Sequence, residues 1–102
     1  VMLIKEEKFK RGAVSIINLT RERVGLLTNG SDKLLIPPGK LRIFDPKSSK
    51  SVNVSAKMSS SKDGKKWKLF FSSQWRITPS RKELIILYYQ RDRIRMMAIN
   101  QF

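Results

Sequence analysis

The chain of 102 residues is long enough for one domain with its own core, and no apolar run approaches the roughly 20 residues that cross a bilayer. It has no cysteine and no histidine, which excludes disulfides, thiolate and imidazole metal ligands, and the commonest general base. Twenty-two Lys and Arg against eight Asp and Glu give a formal charge of +14, which favours association with a polyanion such as nucleic acid, anionic lipid or acidic glycan.

The N-terminal residues show no strand-like alternation. The chain begins Val1-Met2-Leu3-Ile4 without an initiating Met at position 1, so we expect it to have been excised from a longer precursor, one with a signal peptide. Residues 4–11 are expected to form a short helix or an irregular tail. We therefore divide the chain into an N-terminal tail, residues 1–12, and a single domain, residues 13–102.

From Ala13 onward, apolar and polar residues alternate with a period of two, which predicts β-strands. No segment longer than about ten residues shows helical spacing. The predicted strands, in chain order, are 13–18, 24–28, 33–36, 41–44, 52–58, 66–77, 84–89 and 94–99.

Turn residues separate these strands. Asn29-Gly30 marks one turn, and Pro37-Pro38-Gly39 fits a type II turn because Pro38 presets φ and Gly39 supplies a positive φ. Asp63-Gly64 is the strongest short hairpin signal in the chain, and it joins strands 52–58 and 66–77.

Two strands carry further information on burial. In 66–77 the odd positions, among them Trp67, Phe71 and Trp75, share one face, and we interpret the two tryptophans as core anchors. The run 84–89 is apolar on both faces, which predicts a central strand covered on both sides or a strand that faces a partner. Together these patterns predict an all-β fold, a single antiparallel β-sandwich (Ig-like or similar) of about seven or eight short strands. A small β-barrel is the alternative.

The acidic residues give no catalytic constellation. Most lie in predicted turns, where Asp is favoured for backbone reasons, as at Asp45 before Pro46. The glycines are isolated, so no phosphate-binding loop is indicated, and the turn 29–32 lacks the acidic density of a calcium site. We predict a non-enzymatic protein with no catalytic residues, no cofactor site and no metal site.

The basic residues are the only feature that indicates a ligand. Lysines cluster around the Asp63-Gly64 hairpin, arginines alternate near the C-terminus, and Phe70 is predicted to share a face with Lys68 and Arg76. Basic residues interleaved with an aromatic are typical of single-stranded nucleic-acid grooves. The candidate polyanion-binding residues are Lys62, Lys65, Lys66, Lys68, Phe70, Arg76, Arg91, Arg93 and Arg95. Alternating arginines also protect edge strands from aggregation, so a merely solvated basic face stays open.

Four segments resemble a loose class of small bacterial extracytoplasmic β-sandwich domains of unknown function. They are 14–20, 34–39, 67–75 and 81–89, which span most of the chain after Ala13. The resemblance implies a sandwich fold and an export history, and it brings no catalytic residues. That class does not require a high basic charge.

We therefore expect a non-catalytic accessory or interaction domain of an exported protein, periplasmic or secreted, that contacts another protein or an anionic component of the cell envelope. A nucleic-acid-binding β-barrel is one alternative, with a cytoplasmic location. A subunit of a homo-oligomer is another, because one face of the run 84–89 could pair subunits. Its two candidate faces are Leu84, Ile86 and Tyr88, or Ile85, Leu87 and Tyr89.

Overall fold

The protein is a sandwich of two four-stranded β-sheets. A computed structural model describes residues 11–100, so residues 1–10 of the tail predicted at 1–12, and with them most of the segment 4–11 predicted as a short helix or irregular, lie outside the described residues. The strands are β1 (Ala13–Asn18), β2 (Arg23–Thr28), β3 (Asp32–Ile36), β4 (Leu41–Phe44), β5 (Val52–Ser61), β6 (Lys68–Ile77), β7 (Lys82–Gln90) and β8 (Arg93–Asn100). The predicted all-β sandwich is confirmed. The barrel alternative is wrong, because the strands form two separate sheets, each with its own edge strands.

Sheet A has the strand order β4-β1-β7-β8, and sheet B has the order β3-β2-β5-β6. The prediction of purely antiparallel sheets is wrong for one pair, because β1 and β7 run parallel, with Ile16 opposite Ile85. A parallel pair needs a long crossover, and strands β2 to β6 supply it. All other neighbouring strands are antiparallel. The described residues contain no helix that could span a membrane.

The core lies between the sheets, and the alternation of apolar and polar residues with a period of two determines which side chains form it. Every second side chain of each strand points inward, and burial of such an aliphatic side chain contributes about 1.5–3 kcal/mol. The fully buried centre is formed by Val14, Ile16, Val24, Leu26, Ile36, Val54, Ala56, Met58, Ile85 and Leu87. Trp75 packs against this core as predicted, with its ring centroid 6.0 Å from that of Phe71.

A β-bulge interrupts the pairing of β5 with β6. Met58 lies opposite Phe71, but the next residue, Ser59, lies opposite Leu69, so Phe70 is the extra residue. An extra residue reverses the inward and outward positions beyond it. Phe70 consequently packs against the core, and Leu69 turns to solvent.

The predicted turns at Asn29-Gly30 and Pro38-Gly39 are confirmed, whereas Asp63-Gly64 lies in a longer loop, 62–67, that joins β5 to β6. Asn29 and Gly30 have φ values of 51° and 74°, as the two central residues of a type I′ turn require. Gly39 has a φ of 73°, and the amide of Lys40 donates to the carbonyl of Pro37 at 3.1 Å, which closes the type II turn.

Candidate polyanion-binding surface

The four connections β1–β2, β3–β4, β5–β6 and β7–β8 meet at one end of the sandwich. This happens because successive strands run in alternate directions, so every second connection lies at the same end. We call residues 19–23, 37–40, 62–68 and 90–93 the basic end, and residues 11–12, 29–32, 45–51 and 78–83 the far end.

Positive charge is concentrated at the basic end. Its segments carry nine basic and three acidic residues, whereas the far end carries five basic and three acidic residues. The basic residues are Arg21, Arg23, Lys40, Lys62, Lys65, Lys66, Lys68, Arg91 and Arg93. All nine are exposed, so their charges can reach a large partner. Clustering of one sign of charge raises the local potential and attracts polyanions.

Asn18 fixes two of the connections to each other. Its side chain is fully buried, and its Nδ2 donates to the carbonyls of Glu22 at 2.8 Å and Ile36 at 2.9 Å. Its Oδ1 accepts from the amide of Thr20 at 3.0 Å and from the hydroxyl of Thr20 at 2.6 Å. The main chain of Asn18 also bonds to the β3–β4 turn, with the amide of Gly39 donating to its carbonyl at 2.7 Å. The two connections therefore form one rigid base.

Tyr89 links β7 to this base. Its hydroxyl donates to Oε2 of Glu22 at 2.9 Å. The pKa of Tyr89 is raised above its ordinary value. The largest cause is the loss of hydration on burial, and the second is this hydrogen bond to a carboxylate. Arg23 contacts the β5–β6 connection. Its guanidinium packs against Gly64 and occupies the space that a β-carbon would take there.

Asp63 organises the lysine-rich loop 62–67. Its Oδ1 accepts from the amides of Lys65 at 2.8 Å and Lys66 at 3.0 Å, and from the hydroxyl of Ser61 at 3.1 Å. The hydrogen bonds donated by the backbone amides of Lys66 and Lys65, and to a smaller extent the one from the Ser61 hydroxyl, lower the pKa of Asp63. The carboxylate thus holds the loop that presents two lysines on consecutive residues.

Trp67 is not the core anchor predicted from the sequence. It is 44% exposed, and its indole covers Gly25, where an added β-carbon would lie 3.5 Å from Cζ3. Gly25 points outward in the middle of β2, and a glycine there leaves room for a large ring from another segment. The neighbours of Gly25 across sheet B continue the apolar surface, with Leu35 on one side and Leu69 beyond Ser59 on the other. We call Leu35, Trp67 and Leu69 the apolar strip.

The structure brings together six of the nine residues that the sequence predicted. Lys62, Lys65, Lys66, Lys68, Arg91 and Arg93 all lie at the basic end. Three basic residues of this end were missed, namely Arg21, Arg23 and Lys40. They could have been predicted from the regular alternation of strand direction, because it places every second connection at the same end of the sandwich.

The other three predicted residues lie elsewhere. Phe70 packs against the core because of the bulge, so the predicted basic and aromatic face through Lys68, Phe70 and Arg76 does not exist. Arg76 lies towards the far end of β6, opposite Asn53. Arg95 lies further along β8, opposite Tyr88.

The predicted alignment of Arg91, Arg93 and Arg95 on one strand face is also wrong. Arg91 lies in the β7–β8 turn with a φ of 52°, and only the other two belong to β8. Because β8 is an edge strand, the alternative that these arginines protect the edge stays open.

The two faces of β7 are now distinguished. Ile85 and Leu87 are buried between the sheets, so they cannot line a contact between subunits. Leu84, Ile86 and Tyr88 alternate with them on the outer face of sheet A, where Leu84 is itself buried in a cluster with Ile17, and Ile86 and Tyr88 are half-buried. On the same face, Met97 is 49% exposed.

Two of the three acidic side chains at the basic end have structural roles. Glu22 binds Tyr89, and Asp63 binds its own loop. Within residues 11–100, no three acidic side chains come close enough together to hold a metal ion. The arrangement offers cationic and apolar contacts to a ligand.

Comparisons with known protein families, with curated proteins and with solved structures found no match for this chain. The resemblance to extracytoplasmic sandwich domains therefore stays a prediction. The function has to be inferred from the basic end itself.

Proposed function

We propose that this chain is a non-catalytic binding domain whose basic end contacts a polyanionic partner. The observation that carries the proposal is the excess of nine basic over three acidic residues at one end of the sandwich. Like charges repel, so their concentration on loops held by Asn18, Tyr89 and Asp63 costs stability, and a polyanion offsets that cost.

The end of a sandwich is well suited to this function. The connections can vary without disturbing the core, and the sheets hold them in place, as in other sandwich domains that bind ligands with their loops. The acidic residues Glu22 and Asp63 of this end already have partners within the fold, which supports binding over catalysis.

A titration against polyanions tests this proposal. Wild-type protein is titrated with a heparin oligosaccharide, a single-stranded oligonucleotide and phosphatidylglycerol vesicles at several salt concentrations. We expect binding to at least one that weakens steeply with salt, because counterions are released on binding. The double variant Lys65→Gln/Lys66→Gln should weaken binding and lower the log–log salt slope by about one per lost contact.

The matched control is Lys47→Gln/Lys50→Gln, which removes the same charge from exposed lysines at the far end. We expect this control to bind like the wild type within about twofold, because its charges lie about a strand length away and are screened. Equal losses in the two double variants, or no binding to any polyanion at low salt, would contradict the proposal.

An exported location, periplasmic or secreted, is part of the same proposal and is supported by the resemblance to extracytoplasmic sandwich domains. Fractionation of the source cells tests it. Recovery from the periplasm or the culture medium is expected. Recovery from the cytoplasm with bound nucleic acid would favour the nucleic-acid alternative instead.

A second candidate function is that of a homo-oligomer subunit. The observation that favours it is the outer face of sheet A, where Ile43, Met97 and Ile99 are exposed beside the half-buried Ile86. Sedimentation of wild type and Met97→Lys over a range of concentrations tests it. Self-association that Met97→Lys abolishes is expected, and a monomer at all concentrations would exclude it.

A further inference from the structure

Exposed apolar side chains adjoin the basic end. Leu35 is 52% exposed, Trp67 is 44% exposed and Leu69 is 55% exposed, and these three form the apolar strip across the outer face of sheet B. Their placement follows from Gly25, which makes room for the indole, and from the bulge that turns Leu69 outward. None of these three side chains packs into the core, so the strip points to a partner.

Cations flank the strip on both sides. The next outward row of sheet B carries Lys33 and Lys57, which lie on either side of Leu27. This row lies about 7 Å from the strip, the distance of two residues along a strand. On the opposite side are Arg23 and the loop 62–67 with its lysines. Leu35 and Leu69 are three strands apart, so the strip is about 14 Å long.

An exposed apolar strip flanked by cations favours one class of polyanion over the others. Nucleic acids and acidic glycans satisfy the cations, and one indole could stack on a base or a sugar ring, but they gain little from two exposed leucines. An anionic bilayer satisfies both groups, since headgroup phosphates attract lysines and the acyl boundary accepts leucine. Tryptophan is itself enriched at the membrane interface, where its ring is apolar and its N–H reaches polar groups.

We infer that the outer face of sheet B, next to the basic end, docks on the surface of an anionic phospholipid bilayer. Leu35, Trp67 and Leu69 enter the boundary between headgroups and acyl chains. Arg23 and the flanking lysines meet the headgroup phosphates. This inference rests on the proposed function and names its partner.

Fluorescence of Trp67 tests the inference directly. In the variant Trp75→Phe, Trp67 is the only indole of the chain, because the sequence has two tryptophans. Vesicles of phosphatidylcholine with phosphatidylglycerol should shift its emission to shorter wavelength, and lipids brominated on the acyl chains should quench it. Vesicles of phosphatidylcholine alone should do neither at physiological salt.

Variants of the apolar strip and of the lysines distinguish insertion of apolar side chains into the bilayer from attraction by charge. Leu69→Ser should weaken binding to the anionic vesicles about fivefold, because it removes half-exposed apolar surface. Its control is Met97→Ser on sheet A, similarly exposed, which should bind as the wild type does. Lys65→Gln should also weaken binding about fivefold. Circular dichroism checks that each variant is folded.

The outcomes distinguish this inference from the proposed function. If Lys65→Gln weakens vesicle binding while Leu69→Ser and the Trp67 emission do not respond, the basic end binds anions and the bilayer inference is overturned. Binding to heparin or to an oligonucleotide without binding to vesicles would overturn the bilayer inference as well. Absence of binding to all polyanions overturns both.

Discussion

The indole of Trp67 lies over Gly25, a strand residue that is 42 positions earlier in the chain. The contact joins the lysine-rich loop 62–67 to the outer face of sheet B. The inward positions of β2 on either side of Gly25 are already filled by core side chains, so the indole lies at the surface.

The first prediction concerns this contact. In Gly25→Ala the new β-carbon would lie 3.5 Å from Cζ3 and 4.0 Å from Cη2 of Trp67, which is ordinary van der Waals contact. We expect Ala to be tolerated and to stabilise the fold by up to about 0.5–1 kcal/mol, because glycine weakens a strand interior. Gly25→Val adds two methyl groups that should displace the indole. Acrylamide quenching of Trp67 in the Trp75→Phe background should rise with Val and not with Ala; equal quenching would contradict the contact.

The second prediction concerns Asn18. Asn18→Ala removes the side-chain partner of the carbonyl of Ile36 and of the amide of Thr20, and a buried group left unpaired costs about 1–3 kcal/mol. The carbonyl of Glu22 and the hydroxyl of Thr20 each lose one bond to Asn18 but keep their bond to each other at 3.2 Å. We expect the free energy of unfolding to fall by at least about 2 kcal/mol in urea denaturation. Asn53→Ala, at an exposed position of β5, is the control and should change it by less than about 0.5 kcal/mol. Similar effects of the two variants would refute the role assigned to Asn18.

The third prediction is a pH dependence that comes from Tyr89. Its pKa is raised from an ordinary value of 10.0, so the folded state favours the neutral phenol. The stabilisation by the bond to Glu22 is therefore fully present below pH 10 and is lost as the pH rises through the raised pKa. Tyr89→Phe should be less stable than the wild type by about 1 kcal/mol near neutrality. The difference should shrink above pH 10, and a constant difference up to pH 11 would count against this pair.

The fourth prediction concerns the β7–β8 turn. Arg91 and Asp92 have φ values of 52° and 62°, a left-handed conformation that costs energy for residues with a side chain. Asn-Gly is the preferred pair for such a turn. The double substitution Arg91→Asn/Asp92→Gly keeps the net charge and should raise the melting temperature by roughly 5 °C, which corresponds to about 1 kcal/mol. An unchanged or lower melting temperature would argue against this turn geometry.

Local sequence patterns were sufficient to predict the strands and turns. Alternation of apolar and polar residues specified eight strands within a few residues, and Asn29-Gly30 and Pro38-Gly39 specified two of the turns. These signals are local, because a strand's inward face and a turn's φ values depend on the residues within it.

The site could be predicted only in part, because it depends on relations between distant segments. The bulge at Phe70 reverses the outward face of β6, and no residue type in the sequence marks it. The position of Trp67 depends on Gly25, whose location in the middle of a strand was the available clue. The parallel pairing of β1 with β7 is a matter of strand order, which alternation does not encode.

Mapping of perturbed amides by nuclear magnetic resonance is the most direct test of the basic end. Backbone amide shifts of isotope-labelled protein are followed while the polyanion that binds tightest is added. The largest changes are expected in residues 19–23, 39–40, 62–69 and 90–93. Changes concentrated instead in residues 45–51 and 78–83, or on the outer face of sheet A, would show that the excess charge of the basic end is not the binding surface.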